Sequence, residues 1–295
     1  ALARAENADI ILATDPDADR MGVGFKGPDG GYILINGNQI GTMLEYYILL
    51  RSKENGTLPA DAAVIKTVVT TELQRKIAES FKCRIFDVLT GFKWIASKMK
   101  EFDDTGSATF MFGGEESYGY LPVRFVRDKD AVSSCYFFAE MADWLKSRNK
   151  TLYGFLDEIY AAHGLYLEDL LSLTLKGKEG TEKIRSLMEK FRSTPPAAIS
   201  SIAVESMADL KSLVRKNLKT GADEKITDLP SSNVIQFYLE DGSKITMRPS
   251  GTEPKIKFYF SVCGEANAGN LADAKKKVQE KLDALKKDLM GLTGA

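Results

Sequence analysis

Apolar and polar positions along the chain fall into two regimes. Up to residue 164, short apolar runs alternate with stretches of helical period. Residues 8–14 are a largely apolar run suited to a strand of a buried parallel sheet, and Asp15-Pro16-Asp17-Ala18-Asp19-Arg20 ends it. Residues 23–26 and 32–35 flank Pro28-Asp29-Gly30-Gly31, a hairpin signal. Residues 39–50 have helical character, and Asn55-Gly56 with Pro59 marks a loop. The pattern then predicts a β-branched strand over 62–69, a helix over 72–81, a strand over 84–88 and a helix carrying Phe92, Ile95, Met99 and Phe102, with Thr90-Gly91 at its entrance. A strand over 108–112 delivers the loop 113–120, and helices follow over 132–146 and 152–160. Strands alternating with helices predict an α/β layer domain.

After Gly164 the pattern changes. Residues 167–175 read as a strand, 182–191 as a helix, and Pro195-Pro196 as a break. Residues 234–239 and 244–247 bracket Glu240-Asp241-Gly242-Ser243, the strongest hairpin signal of the chain. Residues 256–262 form a further strand, and 271–290 a long lysine-rich amphipathic helix. This predicts an α+β domain: an antiparallel sheet with two helices.

Composition narrows the chemistry. Forty basic and 41 acidic side chains give a net charge of −1, so nothing draws the chain to nucleic acid or an anionic membrane. No apolar run reaches the roughly 18 residues of a membrane span, and no signal peptide opens the sequence. Cys83, Cys135 and Cys263 are widely spaced and odd in number, against both a disulfide framework and a CxxC metal site. A reducing, cytoplasmic setting is expected. The single histidine, His163, excludes a histidine-cluster zinc site and is read as structural. Chemistry here must run on carboxylates, lysines, arginines, hydroxyls or a hard metal ion. Ala1, with a dense acidic motif only 14 residues on, reads as a cut end.

Asp15, Asp17 and Asp19 place three hard oxygen ligands in one tight loop, which suits Mg²⁺ better than zinc or copper. An EF-hand fits poorly, with Arg20 where glycine and Lys26 where glutamate should stand. Two other readings stay open: an acidic surface turn, or a phosphatase with Asp15 as nucleophile and Asp17 as acid/base. Arg20 would neutralise the cluster or contact an anionic reactant. Arg248-Pro249-Ser250-Gly251-Thr252-Glu253-Pro254-Lys255-Ile256-Lys257 lies between two strands and supplies hydroxyls, an approachable backbone and positive charge. That describes a phosphate cradle without a Walker A signature; a polar hairpin with a basic rim is the alternative. The loop 113–120 offers carboxylates and hydroxyls of the kind that grip sugar hydroxyls, though a plain loop would look the same. Thr90-Gly91-Phe92-Lys93 is explained by a threonine N-cap, and Arg127-Asp128-Lys129-Asp130 by a solvated charge run. Together these segments imply a phosphorylated sugar held at both ends.

ATDPDADR, TGFKW, GEESYGY, RDKD and RPSGTEPKIKFY, in this order, resemble the α-D-phosphohexomutases, in their bacterial-type phosphoglucomutase branch. The resemblance implies a four-domain family protein: three similar α/β domains and a smaller α+β C-terminal domain. In that family a phosphoserine donates its phosphoryl group to a sugar phosphate, a bisphosphorylated sugar forms and turns over, and the other phosphoryl group returns to the serine. It further implies that Asp15, Asp17 and Asp19 hold Mg²⁺ together with the phosphoserine, and that Arg20 is the active-site arginine. Thr90, Gly91, Glu115, Ser117 and Lys129 would bind the sugar, and Arg248, Ser250, Gly251, Thr252 and Lys257 the non-reacting phosphate. Lys257 stands where many members carry arginine, and Ser117 is followed by Tyr118-Gly119 rather than the Gly-His pair frequent in mannose-active members, which favours glucose. The family's Thr-x-Ser-His-Asn-Pro motif is absent. Residues 1–35 are therefore expected to be the end of domain 2, 36–164 domain 3 and 165–295 domain 4. The partner would be a phosphorylated hexose, together with the N-terminal half of the same polypeptide. The complete enzyme would interconvert glucose 1-phosphate and glucose 6-phosphate, and this chain alone would be inactive. Phosphopentomutase, phosphomannomutase and a non-catalytic sugar-phosphate-binding protein are the alternatives.

Overall fold

The computed structural model describes residues 1–175, 177–251 and 253–293. Two compact units emerge: residues 1–164 with 267–269, and residues 165–266 with 270 onward.

The first unit begins with a short helix α1 (Leu2–Ala5) and the strands β1 (Ile10–Thr14), β2 (Met21–Lys26) and β3 (Tyr32–Ile35). It continues through α2 (Gly37–Glu54), β4 (Ala62–Thr67), α3 (Leu73–Ser80), β5 (Arg84–Val88), α4 (Phe92–Thr105), β6 (Thr109–Gly114), β7 (Tyr120–Leu121), α5 (Ala131–Lys146) and α6 (Leu152–His163). Strands β1, β2 and β3 form an antiparallel sheet in that order, with Thr14 opposite Met21 across the acidic loop. This corrects the expectation of a buried parallel strand at 8–14. Six residues suffice only to reverse the chain, and a parallel partner needs a crossover of a dozen or more. Strand β1 is a half-exposed edge.

Strands β4, β5 and β6 are parallel, in the order β5-β4-β6, and β7 returns antiparallel to β6. The two-residue period of β4 sends Ala63 and Ile65 to one face, where Phe92, Ile95, Met99 and Phe102 of α4 cover them. Register along β4–β6 slips by one residue: Ala63 faces Phe110 and Val64 faces Phe112, so Met111 is a β-bulge. Phe110 accordingly joins the α4 layer, while Phe112 stacks on Tyr120, ring centroids 6.4 Å apart. Helix α2 starts earlier and ends later than its apolar period indicates. Asn36 accepts a hydrogen bond from the Gln39 amide at 2.9 Å and the Gln39 side chain accepts from the Asn36 amide at 3.0 Å, a reciprocal capping box. His163 ends α6 with its ring 5.5 Å from that of Tyr46, and burial holds its pKa below the usual imidazole value.

The second unit comprises β8 (Leu165–Thr174), α7 (Gly177–Ser193), β9 (Ala198–Ile199), β10 (Ile202–Asp209), β11 (Val214–Asn217), β12 (Asp223–Lys225), β13 (Ile235–Leu239), β14 (Lys244–Pro249), β15 (Lys255–Gly264) and α8 (Leu271–Thr293). Among the described residues its sheet runs β12-β11-β10-β13-β14-β15-β8, all antiparallel, with β9 paired to β10. Ile235, Phe237 and Leu239 alternate on β13, as do Ile256, Phe258, Phe260 and Val262 on β15, and all are buried. Val278, Leu282, Leu285 and Leu289 form the buried stripe of α8, and Phe191 of α7 packs edge-on against Phe237 at 5.8 Å. An antiparallel sheet with two helices thus matches the expected α+β class. No helix among the described residues is long and apolar enough to cross a membrane.

Candidate active site

In the first unit, four separate segments meet at the carboxyl ends of β4, β5 and β6, the edge where open parallel sheets place ligands. The loop 15–20 closes on itself: Ala18 donates to the Asp15 carbonyl at 3.0 Å, and Asp15 Oδ1 accepts the amides of Asp19 and Arg20, each at 3.2 Å. Ala18 sits at φ +55°, and its carbonyl accepts the Ala131 amide at 3.1 Å, fastening the loop to the start of α5. Asp130 caps that helix through the Val132 amide at 3.0 Å. At the other end, the Met21 amide donates to the Tyr118 carbonyl at 3.0 Å, and Arg20 forms an antiparallel bridge with Gly119. Arg20 Nη1 donates to the Ser117 carbonyl at 3.4 Å. The acidic loop and the loop 113–120 are therefore held together by main chain.

Glu115 is buried, and its Oε1 accepts the Gly91 amide at 2.7 Å. Gly91, at φ +112°, is the N-cap of α4, so the expected Thr90 cap is corrected: Gly91 occupies that position and no side chain caps the helix. A glutamate from the neighbouring strand end supplies the acceptor instead, favoured by the helix dipole. Thr67 donates to Glu116 Oε2 at 3.4 Å. Helix α2 presses on the same loop: a Cβ on Gly37 would overlap the Glu116 carbonyl, and buried Tyr120 Oη donates to the Gly37 carbonyl at 2.7 Å. Tyr118 occupies the left-handed region at φ +73° with its side chain exposed.

Lys129 overturns the reading of 127–130 as a solvated run. Its side chain is 13% exposed, with Nζ 2.9 Å from Asp19 Oδ2, 2.9 Å from Asp128 Oδ1 and 5.5 Å from the centre of the Phe92 ring. A Cβ on Gly119 would run into its stem. Burial works to lower the Lys129 pKa, but the hydrogen bonds and charges of Asp128 and Asp19 outweigh it and raise the value. Composition cannot reveal this burial; only the glycine at 119, three residues after a carboxylate pair, hints at a close approach.

The structure brings Asp15, Asp17, Asp19, Arg20, Gly91, Glu115, Ser117 and Lys129 onto one edge of one unit, with Thr90 preceding Gly91. It does not gather the three aspartates into a cage: among the described residues no three histidine, cysteine, aspartate or glutamate side chains converge as a metal site. Asp15 is turned onto its own loop amides, Asp17 is exposed, and Asp19 is paired with Lys129. The donor set itself fits a hard cation. Asp19 Oδ1 is buried without a hydrogen bond and faces only the Arg20 guanidinium, with Nε at 3.7 Å, so it retains acceptor capacity.

In the second unit, β14 and β15 place Arg248 directly opposite Lys257. The alternation that buries Met247 and Phe258 puts both cations on the other face of the sheet. Among the described residues, neither cation has a carboxylate within salt-bridge distance. Like charges directly opposite on an antiparallel pair repel, a repulsion that a bound anion would relieve. The connecting loop is closed by the Ser250 amide donating to the Lys255 carbonyl at 2.7 Å and the Glu253 amide to Ser250 Oγ at 3.3 Å. Glu253 is drawn to Lys255 at 2.9 Å, which lowers its pKa. Gly251 is exposed, and a Cβ there would meet nothing within 4 Å. Thr252 lies outside the described residues.

A parallel-sheet edge that carries an acidic turn, an arginine and a carboxylate–serine loop, followed in the chain by an antiparallel module with an anion-ready strand pair, defines a recognisable class. The chain belongs to the α-D-phosphohexomutases: the family model for phosphoglucomutase/phosphomannomutase α/β/α domain III matches residues 36–163, and that for the C-terminal domain of the same family matches 200–278. Curated relatives include the phosphoglucomutase of Staphylococcus haemolyticus (strain JCSC1435), 39% identical over 255 residues, which is 86% of this chain and 45% of that protein. The phosphoglucomutase of Staphylococcus aureus (strain MRSA252) is 40% identical over 261 residues, 88% of this chain and 46% of that one. Among solved structures, the open form of pp63/parafusin, a phosphoglucomutase from Paramecium, has the same fold, with a TM-score of 0.60 at 18% identity over 94% of this chain and 45% of its own. The chain thus spans less than half the length of the curated relatives it matches.

Proposed function

We propose that these residues form the substrate-holding part of a phosphoglucomutase that interconverts glucose 1-phosphate and glucose 6-phosphate through a bisphosphorylated sugar. The observation that carries the reading is the convergence of Arg20, Glu115, Ser117 and Lys129, from three distant stretches of sequence, beside the acidic loop. In this reading residues 1–35 are the end of domain 2, 36–164 domain 3 and 165–295 domain 4, and the enzyme works in the cytoplasm. Glu115, Ser117 and Lys129, with Thr90 and Gly91, hold the sugar. Arg248, Ser250, Gly251, Thr252 and Lys257 hold the phosphate that is not reacting. Arg20 steers the reacting phosphate, its guanidinium 49% exposed beside the Ser117 carbonyl. Asp15, Asp17 and Asp19 would hold Mg²⁺, which would neutralise charge on the transferring phosphoryl group. No serine in a Ser-His-Asn-Pro setting occurs here, so the phosphoryl carrier is assigned to residues outside these 295.

Calorimetric titration of glucose 1,6-bisphosphate tests the reading. The chain should bind it, and Arg248→Ala should weaken binding about 10- to 100-fold, the loss of one or two charge-assisted hydrogen bonds. Identical heats for the two proteins would overturn the phosphate assignment. A coupled mutase assay on the chain alone should show no turnover; turnover would refute the placement of the carrier outside it.

A further inference from the structure

The Asp19 carboxylate is split between two environments. One oxygen bonds the Lys129 ammonium at 2.9 Å, while the other accepts no hydrogen bond and has the Arg20 guanidinium as a looser ion-pair neighbour, Nε at 3.7 Å. Lys129 is held to this position by a second carboxylate, Asp128, and by the Phe92 ring, and its stem passes against the backbone of Gly119 in the sugar loop. The same ammonium is the one the functional reading gives to the sugar. It cannot serve Asp19 and a sugar oxygen with equal strength, because a hydrogen bond to an ionised acceptor is roughly twice as strong as one to a neutral acceptor.

We infer that Lys129 is a positioning residue that exchanges partners: it occupies Asp19 while the acidic loop holds no cation, and a divalent cation taken by Asp19 displaces it towards the sugar loop. The inference rests on the functional reading above for the destination of Lys129, and on the geometry for its starting point. Two features favour displacement over coexistence. A divalent cation on Asp19 would bring positive charge against a largely buried ammonium, where screening is weak. The flexible four-carbon stem lets Nζ swing away while its base stays fixed between Asp128 and the capped start of α5. Cation binding and sugar binding would then assist each other, since each consumes a group that the other releases. Exchange of this kind also accounts for the three aspartates standing apart: the ammonium supplies the charge that would otherwise draw them together.

Manganese(II) is the probe, titrated into the whole chain and followed by calorimetry and by its electron spin resonance signal. Lys129→Met keeps the stem and removes the charge; it should bind Mn²⁺ at least tenfold more tightly than wild type. Lys129→Arg should stay within threefold of wild type, because a guanidinium restores the competitor. Acylation of Lys129, read by peptide mass spectrometry, should speed up in wild type as Mn²⁺ is added, and should be fast without Mn²⁺ in Asp19→Asn, which is also the check should Lys129→Met fold poorly. Equal Mn²⁺ affinity in wild type and Lys129→Met, no binding by either, or Mn²⁺ slowing the acylation would each overturn the exchange. The bisphosphate titration with Arg248→Ala reads the second unit only, so failure of the sugar-phosphate reading registers separately.

Discussion

The two candidate sites handle charge in opposite ways. At the sheet edge of the first unit, charges neutralise one another: Lys129 lies between Asp19 and Asp128, and Asp15 is satisfied by its own loop amides. On the β14–β15 pair of the second unit, Arg248 and Lys257 stand opposite each other with no carboxylate of the described residues in salt-bridge contact, and only Glu253 of the connecting loop lies near enough to feel the charge of Lys257. A self-neutralised cluster keeps its shape without ligand and must trade partners to act. A cation pair without a direct carboxylate contact favours an incoming anion, and the backbone ladder bears its repulsion. In the proposed function the first site is where chemistry proceeds and the second only holds a group, and the difference in charge fits that division.

The largest effect expected from breaking this comparison lies in the packing behind the first site. Gly37→Ala forces a methyl into the Glu116 carbonyl and should destabilise the first unit by about 3 kcal/mol, by denaturant unfolding. Next comes Glu45, a carboxyl group that is fully buried. Both its carboxylate oxygens lack hydrogen-bond partners, and burial raises its pKa well above the ordinary 4.5 despite the opposing charge of Lys66. The folded state binds that proton more tightly than the unfolded one. Its stabilising contribution is therefore full below about pH 4.5 and is lost as pH rises towards the folded value. Glu45→Gln should raise stability at pH 8 by on the order of 2 kcal/mol and flatten the decline with pH, read as Tm against pH. A smaller change sharpens the anion site. Lys257→Arg gives a planar fork in place of a point charge and should tighten glucose 1,6-bisphosphate binding about three- to tenfold by calorimetry. Smallest of all, Gly251→Ala should shift stability by no more than about 0.5 kcal/mol, since the added Cβ meets nothing and the loop is exposed.

Much of this was legible in the residues, for identifiable reasons. The strand–helix alternation to residue 164 is carried by strong apolar periods, and each chemistry-bearing loop begins where an apolar run ends. The hairpin at 240–243 is written in turn residues, and the structure closes it with the Gly242 amide on the Leu239 carbonyl at 3.0 Å. Strands β9 to β12 gave no such signal: Glu205 and Ser206 interrupt the apolar run of β10, and the short β11 and β12 are mostly charged, held by main-chain pairing more than by burial. The direction of β1 depended on loop length, which an apolar run does not encode. The burial of Lys129 depended on a glycine ten positions away in sequence order becoming its neighbour in space. Local signals announce elements and loops; which loops meet is a property of the assembled sheet.

The single extra residue in β6 carries a consequence for how this family of chains can vary. With Met111 out of step, Phe110 and Phe112 point to opposite layers, and the strand leaves the sheet with Glu115 aimed at the Gly91 amide. Sheet geometry makes this a matter of parity. Met111 is the residue the ladder leaves over, so deleting it would keep Val64 opposite Phe112 and the later positions on their present faces, whereas deleting a paired residue of β6 would turn every later position over and send the carboxylate to the wrong side. A single deletion should thus be tolerated at the bulge and rejected at the paired positions of the strand, a counting rule set by the ladder and not by the identity of the residues.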